Sequence, residues 1–309
     1  MSAATAATVR WAQFVRERFP PAAYLPMASL FVAGNGLLAA ALHPAAARSL
    51  GLRLALAFAL ALSYFLRLRL FDEIKDLEVD RRLNPDRPLA RGLLTLREVG
   101  FAIGALTVFE LALTATLGRA VLATHTLAVG YSYLMFREFF VGRWLRPHLT
   151  TYAVTHTVSS GLLGLSVASV VTGLGLPRLG PALWALALAN WALFNVFEFA
   201  RKSFAASEER DGADSYTRRF GPRGAVALTG SQLVLALAVL AWIAPHSAGA
   251  VNAVVLAAEG LLAAAVLLVA TAFARNPSVK RARRYRAAAG LFIVFFFTVL
   301  SIGAARALP

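Results

Sequence analysis

Three aspartates, Asp72, Asp76 and Asp80, follow one another at intervals of four residues. On a helix this spacing places the three carboxylates on one face, where they repel one another. A divalent cation removes that repulsion, and Mg²⁺ favours carboxylate oxygens that it shares with substrate phosphates. The alternative is a solvated helix of mixed charge, since several basic residues lie nearby. The spacing therefore predicts a magnesium site that includes these three residues.

A second acidic cluster lies later in the chain. Of the 16 acidic residues, 11 fall into two clusters. The first contains Asp72, Glu73, Asp76, Glu78, Asp80 and Asp86, and the second contains Glu198, Glu208, Glu209, Asp211 and Asp214. Each cluster begins where a long apolar run ends, at Asp72 and at Glu198. Two such helix ends facing each other would form a metal-bearing rim above an apolar cavity. That arrangement suits a substrate with a diphosphate head and a long hydrocarbon tail.

The apolar runs are too long and too numerous for a soluble core. The chain has 309 residues, of which 59% are hydrophobic, and its mean hydropathy is +0.65. A helix of about 20 apolar residues crosses a bilayer core, and in lipid such a helix satisfies its own backbone polar groups. We therefore predict an all-α membrane protein with nine spanning helices. They are expected over residues 21–42, 49–70, 97–117, 120–140, 150–172, 182–200, 225–244, 251–273 and 287–306.

The nine helices are expected to form a single transmembrane domain over residues 1–309. Residues 1–20 form an N-terminal segment whose basic, amphipathic pattern is typical of a helix at the membrane interface. Two loops, 71–96 and 201–224, are longer than the others, and we expect them to cap the active site. The chain has no cysteine, which excludes disulfides and thiolate metal sites.

The formal net charge of +15 is concentrated between the apolar runs. With nine spans, the N-terminus and four loops share one side, which then carries 26 of the 31 basic residues. This asymmetry predicts a multi-pass protein of the bacterial inner membrane with its acidic loops in the cytoplasm. The basic residues form short clusters rather than one soluble face, so we expect membrane lipids and no nucleic acid among the partners.

Several polar residues interrupt the predicted spans, where burial in lipid makes them candidates for function. Asn190 and Asn195 come just before Glu198 and are expected to line the cavity. His125 and His156 are expected to form hydrogen bonds between helices.

Other charged residues have simpler predicted roles. Lys75 and Arg82 lie beside the first cluster, where they would neutralise carboxylates or bind phosphate oxygens. Glu138 is expected to pair with its neighbour Arg137. Two acidic residues inside the predicted spans have no predicted partner: Glu110 and Glu259.

At these residues the sequence resembles the UbiA superfamily of intramembrane prenyltransferases. The first motif of that family is Asn-Asp-x-x-Asp-x-x-x-Asp, and the chain reads Asp-Glu-Ile-Lys-Asp-Leu-Glu-Val-Asp over 72–80. The family's Arg-Pro-Leu-x-x-Gly element appears as Arg-Pro-Leu-Ala-Arg-Gly over 87–92. A fourth span with tyrosines and a terminal basic residue appears as Tyr131-Ser132-Tyr133 followed by Arg137.

The second motif departs from the family pattern. The family repeats Asp at four-residue spacing or in a dense run, whereas this chain has Glu198 and, four residues later, Lys202. The chain then reads Glu-Glu-Arg-Asp-Gly over 208–212. Glutamate replaces aspartate as a Mg²⁺ ligand, but a charged lysine does not, and it would bind a diphosphate directly.

The resemblance implies a UbiA-like bundle around a central apolar cavity, with Mg²⁺ as cofactor and a polyprenyl diphosphate as substrate. The implied metal ligands are Asp72, Glu73, Asp76, Asp80, Glu198, Glu208 and Glu209. Of these, the implied catalytic residues are Asp72, Asp76, Asp80 and Glu198. The diphosphate would be bound by Lys75, Arg82, Arg137 and Lys202. The cavity, which would stabilise an allylic cation on its aromatic faces, would be lined by Tyr64, Tyr131, Tyr133, Asn190, Phe194 and Asn195.

Three functions are compatible with these residues. The first is a prenyltransferase that passes the prenyl group to an aromatic or lipid acceptor. The second is a terpene cyclase on the same scaffold, in which the cation attacks the substrate's own double bond. The third is a non-catalytic transporter or lipid-binding protein, against which the intact four-residue spacing of the three aspartates argues.

Overall fold

The structure is a computed structural model, and it describes residues 3–47, 49–210, 212 and 214–309. Arg48, which entered the charge count, and Asp211 of the second acidic cluster lie outside these residues. The described chain is helical and contains no strand. Its α-helices are α1 (Ala3–Arg18), α2 (Pro21–Leu42), α3 (Leu50–Lys75), α4 (Leu77–Leu83), α5 (Leu96–Thr116), α6 (Arg119–Phe136), α7 (Gly142–Leu145), α8 (Leu149–Thr172), α9 (Pro181–Arg201), α10 (Tyr216–Ile243), α11 (Ala253–Arg275) and α12 (Val279–Arg306).

Within the described residues, eight helices are long and apolar enough to cross a membrane: α2, α3, α5, α8, α9, α10, α11 and α12. The chain is therefore an integral, multi-pass membrane protein, as its composition predicts. The remaining predicted span coincides with α6, an 18-residue helix that is not one of the eight. The count of nine spans thus stays a prediction, while the all-α fold class is confirmed.

Local sequence signals explain where several helices begin or break. Thr95 and Glu98 form a capping box at the start of α5, in which the Thr95 hydroxyl accepts from the Glu98 N–H and the Glu98 carboxylate accepts from the Thr95 N–H. Gly118 has a φ of +116°, which permits the tight turn between α5 and α6. Gly221, with a φ of +69°, breaks α10 just before Pro222. The first turn of α10 therefore lies in the predicted loop 201–224, and the apolar span follows the break.

The N-terminal helix α1 is docked on the protein. The Phe14 side chain is fully buried in a cluster with apolar residues of α3, α4 and α5. In the middle of α1, Arg10 pairs with Glu98 at 2.5 Å, and at its last residue, Arg18 pairs with Glu73 at 2.5 Å. The predicted interfacial helix is thus joined by ion pairs to the ends of two spans.

A fully buried ionic network joins α3, α5 and α6. Arg67 donates from Nε and Nη2 to the two carboxylate oxygens of Glu110, at 3.1 and 2.8 Å. The same carboxylate lies 3.2 Å from His125 Nε2 and accepts a hydrogen bond from Ser63. Arg67 also donates to the Ser132 hydroxyl at 2.6 Å. Burying such a charge in a membrane bundle is tolerated only because every member has a partner.

This network corrects the interpretation of Arg67, gives Glu110 its partner and confirms the role predicted for His125. Arg67 lies in the predicted span 49–70 but was counted among the 26 basic residues on one side of the membrane; its side chain instead has no solvent exposure and lies over the rings of Tyr64 and Tyr133. Glu110 gains the partner that the sequence did not provide. His125 forms the hydrogen bond between helices that was predicted for it.

Removing Glu110 should destabilise the protein strongly. In Glu110→Ala the Arg67 guanidinium would remain buried without its anion, which costs about 3–5 kcal/mol and should lower the Tm in detergent. The control is Glu17→Ala, because Glu17 pairs with Arg91 at 2.8 Å on the partly exposed surface. Loss of such a pair changes stability by at most about 1 kcal/mol. Equal Tm values for the two variants would contradict the assigned role of the network.

Candidate active site

A cavity of about 240 Å³ opens where α3 and α9 end, between these helices and α6 and α8. It brings Asp72 of α3 together with Glu198, Arg201 and Lys202 at the end of α9. Its polar wall comes from α8: Tyr152, His156, Thr157, Ser159 and Ser160. Its apolar wall comprises Tyr64, Phe65, Leu68, Met135, Ala153, Leu163 and Phe194. The ends of the second and sixth predicted spans thus meet over an apolar pocket, as the sequence predicts.

The carboxylates of Asp72 and Asp76 are available to a ligand. The Asp72 side chain is 53% exposed, and its nearest cation is Arg69, 3.8 Å away. Asp76 is exposed at the junction of α3 and α4, and its N–H still bonds to the Asp72 carbonyl oxygen at 2.9 Å. The helical path therefore continues across the junction and keeps both residues on one face. Within the described residues, neither carboxylate accepts a hydrogen bond.

Glu73 and Asp80, the other members of the first motif, are already neutralised. Besides its pair with Arg18, Glu73 lies 3.4 Å from Arg69, and its side chain is buried. Asp80 accepts both hydrogen bonds from one nitrogen of Arg87, at 2.6 and 2.7 Å. Arg87 opens the Arg-Pro-Leu-x-x-Gly element, so this pair folds the loop back onto α4. Neither carboxylate lines the cavity, and their predicted metal roles stay predictions.

Glu198 differs from Asp72 because its charge is balanced by its own helix. Its carboxylate accepts from Arg201 at 2.6 Å and contacts Lys202 at 3.0 Å. These are the i, i+3 and i, i+4 neighbours that a helix brings together. The end of α9 therefore presents a net positive charge to the cavity, opposite the negative end of α3.

Glu208 and Glu209 lie outside the cavity. Glu208 pairs with Arg286 of α12 at 2.7 Å. Glu209 accepts hydrogen bonds from Ser215 at 2.6 Å and Thr217 at 2.8 Å, at the start of α10. Both residues thus hold the loop 201–224 in place, and the structure does not bring them to Asp72.

Of the four predicted diphosphate-binding cations, Lys202 lines the cavity and Lys75 lies beside it. Lys75 Nζ donates to the Tyr152 hydroxyl at 2.7 Å. Arg82 and Arg137 are exposed and do not line the cavity.

Glu138 has a different partner from the one predicted. Its carboxylate accepts from Nε of Arg146 at 2.8 and 3.0 Å and lies 3.8 Å from Lys75. The expected pair with Arg137 was therefore wrong. The backbone from Glu138 to Phe140 has positive φ angles, which turns the Glu138 side chain toward α7 and α3.

The predicted aromatic lining is divided between the cavity and the helix contacts. Tyr64 and Phe194 line the cavity, as predicted. Tyr131 donates to the carbonyl oxygen of Thr155 at 2.7 Å, and Tyr133 lies 2.9 Å from the Thr107 hydroxyl. These two tyrosines join helices and are not among the cavity-lining residues.

The two predicted lining asparagines instead form buried contacts between helices. Asn190 donates to Asn35 at 2.7 Å, and Gly164 of α8 packs so closely against this pair that a Cβ at that position would clash with both side chains. Asn195 accepts from the Thr157 hydroxyl at 2.6 Å and so supports a lining residue from behind. Close packing of α2, α8 and α9, rather than the cavity, accounts for both asparagines.

Sequence reasoning missed the polar face of α8. Tyr152, His156, Ser159 and Ser160 recur at the i, i+4, i+7 and i+8 positions of one helix, which is a helical stripe within an apolar span. That stripe was the available signal. His156 was assigned to helix contacts, and it does approach Lys75 of α3, with Nε2 3.3 Å from Nζ.

The residues at the cavity suit a divalent cation shared with a ligand rather than a closed metal cage. Among the described residues, no group of three or more acidic or histidine side chains could hold a metal ion. Mg²⁺ commonly takes one or two carboxylates together with substrate phosphates. Asp72 at the cavity offers one available carboxylate of that kind, and Asp76, one helical turn further along and outside the cavity lining, offers a second.

Scanned against protein-family models and against curated proteins, the sequence matches none. Three solved structures share its architecture. One is of a digeranylgeranylglyceryl phosphate synthase in membranes (TM-score 0.58, 16% identity, covering 92% of this chain and 98% of that one). A second is the apo structure of a UbiA homologue from Aeropyrum pernix K1 (TM-score 0.59, 18% identity, covering 88% of this chain and 97% of that one). A third is a UbiA homologue from Archaeoglobus fulgidus bound to GPP and Mg²⁺ (TM-score 0.54, 17% identity, covering 93% of this chain and 99% of that one).

The bundle and its cavity define a multi-pass, all-α membrane protein with a charged site at one end of an apolar pocket. The fold is that of the UbiA homologues, and the likeness extends over nearly the whole chain. The resemblance first drawn from residues 72–92 is thereby confirmed at the level of the fold.

The pair of Glu208 and Arg286 yields a test of its structural role. Hydrogen bonds from Arg286 lower the pKa of Glu208 below its ordinary value. The stabilisation from this pair is therefore present at neutral pH and is lost as the pH falls through the lowered pKa. In Glu208→Gln we expect a lower Tm at neutral pH and a weaker loss of Tm on acidification, measured by thermal unfolding in detergent. If Glu208→Gln instead weakened Mg²⁺ binding, Glu208 would be a metal ligand.

Proposed function

We propose that this protein is a Mg²⁺-dependent intramembrane prenyltransferase of the UbiA type. It ionises an allylic polyprenyl diphosphate and transfers the prenyl group to an aromatic or lipid acceptor. The observation that carries the proposal is the meeting of Asp72 with Glu198, Arg201 and Lys202 at the mouth of one apolar cavity. The GPP and Mg²⁺ bound by the Archaeoglobus fulgidus homologue support the same substrate class and cofactor.

The charges at the cavity mouth suit a diphosphate. Asp72 and Asp76 would hold Mg²⁺, which supplies electrostatic stabilisation of the charge that develops on the leaving diphosphate. Lys202 and Arg201 on the opposite helix would bind the phosphate oxygens that face α9. Lys75, at the end of α3, is placed to contact them from the third side. The cations of α9 thus complement the carboxylates of α3.

The walls below the mouth suit the hydrocarbon chain and its cation. Tyr64, Phe65 and Phe194 bring three aromatic rings to the pocket, and ring faces attract an allylic cation. Leu68 and Leu163 add apolar surface that excludes water. A dry pocket protects the cation from capture by water before it reaches the acceptor.

The orientation in the membrane belongs to the same proposal. The cavity mouth would lie on the side of the basic loops, and the positive-inside rule supports a cytoplasmic position for it. The diphosphate would then enter from the aqueous side, while the prenyl chain lies at the depth of the bilayer.

Removing the carboxylate of Asp72 should abolish ionisation of the substrate. With geranyl diphosphate and Mg²⁺, we expect Asp72→Asn to reduce diphosphate release by roughly 10²–10³-fold, since a group that stabilises developing charge is lost. The matched control is Asp86→Asn, because Asp86 is an exposed acid of the same loop outside the cavity. Products are identified by mass spectrometry. Equal rates for the two variants would contradict the metal role, and a cyclic hydrocarbon formed without acceptor would instead support a cyclase.

Removing the charge of Lys202 should weaken substrate binding. A hydrogen bond to a charged group is worth about 1.5–3 kcal/mol, so Lys202→Gln should raise KM for geranyl diphosphate roughly 10- to 100-fold. Lys280→Gln is the control, since Lys280 is an exposed lysine at the start of α12. An unchanged KM in Lys202→Gln would exclude direct contact between this lysine and the diphosphate.

A further inference from the structure

The imidazole of His156 is held at the cavity wall in one tautomer. Its Nδ1 lies 2.6 Å from the carbonyl oxygen of Tyr152, one turn earlier on α8. A carbonyl oxygen only accepts, so Nδ1 carries the proton and Nε2 keeps a lone pair. The imidazole stacks on the Tyr152 ring, with centroids 3.8 Å apart, and meets the edge of Phe139 at 6.0 Å. Rings on two sides therefore fix the direction of Nε2.

The partner of Nε2 is a cation that the substrate would attract. Lys75 Nζ lies 3.3 Å from Nε2 and also donates to the Tyr152 hydroxyl. Lys75 is the last residue of α3, between Asp72 and Asp76. A diphosphate bound at those carboxylates through Mg²⁺ would draw the ammonium toward its oxygens and leave the lone pair of Nε2 free. Substrate binding would thus leave a neutral base free at the cavity wall.

The position of His156, rather than its stacking, distinguishes it. His148 stacks on Trp144 and His246 stacks on Trp242, each with Nδ1 at the carbonyl oxygen four residues earlier. The same stacking and Nδ1 contact therefore occur at more than one helical histidine in this chain. Of these three histidines, only His156 lines the cavity.

The wall around His156 is suited to a hydroxyl group. The hydroxyls of Ser159 and Ser160 donate to the backbone carbonyl oxygens of His156 and Thr157, at 2.8 and 2.7 Å. The Thr157 hydroxyl donates to Asn195. Because these protons are already used, the three hydroxyl oxygens are left as acceptors at the cavity surface. Such a wall can accept a hydrogen bond from a bound molecule, and the hydroxyl group of an alcohol or a phenol can donate one.

We infer that His156 is a catalytic base that takes up the proton lost by a hydroxyl-bearing acceptor during prenyl transfer, an inference that rests on the proposed function. The bond between the allylic carbon and the diphosphate oxygen breaks, and its electron pair leaves with the diphosphate. The acceptor oxygen forms the new bond to that carbon with a lone pair. Its proton passes to Nε2, and the imidazolium then returns the proton to the released diphosphate or to water.

Charged and titratable groups from every neighbouring helix bear on this base. Lys75 and Asp72 face it from α3, and Tyr152 lies on its own helix. Glu138, 3.8 Å from Lys75, approaches from the segment after α6, and Glu198 lines the same cavity from α9. Arg201 and Lys202 also line the cavity from α9, where they balance Glu198, so the imidazolium that the step produces must pass its proton on to the released diphosphate or to water.

The test separates ionisation from transfer. Full-length wild type, His156→Gln and the matched control His148→Gln are incubated with geranyl diphosphate, Mg²⁺ and either 4-hydroxybenzoate, as a phenol, or glycerol 1-phosphate, as an alcohol. General base catalysis contributes about 10²–10⁴-fold, so His156→Gln should lose prenylated product by that factor. Its diphosphate release should stay within roughly threefold of wild type, because water captures the cation instead. His148→Gln should match wild type in both measurements.

Two results would overturn the inference while leaving the proposed function intact. One is an unchanged ratio of prenylated product to diphosphate in His156→Gln. The other is diphosphate release by wild type with transfer to neither hydroxyl compound. Absence of diphosphate release by wild type would instead refute the proposed function itself. A measurement without substrate provides a second check: ¹⁵N NMR of histidine-labelled protein should show His156 protonated on Nδ1 and bare on Nε2, and the opposite tautomer would overturn the inference.

Discussion

The buried pair of Arg67 and Glu110 is the interaction on which the site depends most. It ties α3 to α5, and through His125 and Ser132 it also ties α3 to α6. Arg67 precedes Asp72 by little more than one helical turn, so the rotation of α3 is set just before its end. That rotation directs Asp72 to the cavity and Glu73 to α1. Because an unpaired charge in the bundle would be so costly, the geometry is held more firmly than apolar packing alone would hold it.

Much of the fold could be predicted from the sequence, because lipid leaves a hydrophobic chain few alternatives. The observed helices α2, α8 and α11 begin and end within two residues of their predicted bounds. The prediction was weaker where charges enter a helix. Lys75 belongs to α3 although it falls in the predicted loop 71–96, and Arg67 was counted with the basic residues of the loops. A count of basic residues does not show which of them has a buried partner. The extra turn of α10 before Gly221 was missed for a similar reason, because its residues are polar.

The candidate site was predicted in outline and revised in its members. Asp72 and Glu198 meet as expected because both follow an apolar run that ends at the same side of the bundle. Spacing alone could not show that four other predicted ligands lie outside the cavity: Glu73, Asp80, Glu208 and Glu209. Some of them are neutralised by arginines that lie far away in the chain, such as Arg18 and Arg286. The polar residues of α8 recur at helical spacing in the sequence, but only the position of α8 opposite α3 shows that they line the cavity. The two halves of the site are unequal, with available carboxylates on α3 and a self-neutralised acid on α9.

The docked helix α1 has a consequence for how the protein is made. The partners of Arg10 and Arg18, which are Glu98 and Glu73, are synthesised well after α1 leaves the ribosome. Until then, Arg10 and Arg18 lack their anions and Phe14 is exposed, so α1 would rest on the lipid surface as an amphipathic helix. Its docking must follow the insertion of α3 and the start of α5. The helix α1, which emerges before α3 and α5, can therefore lock in place only after both of them, and it then joins the end of α3 to the start of α5.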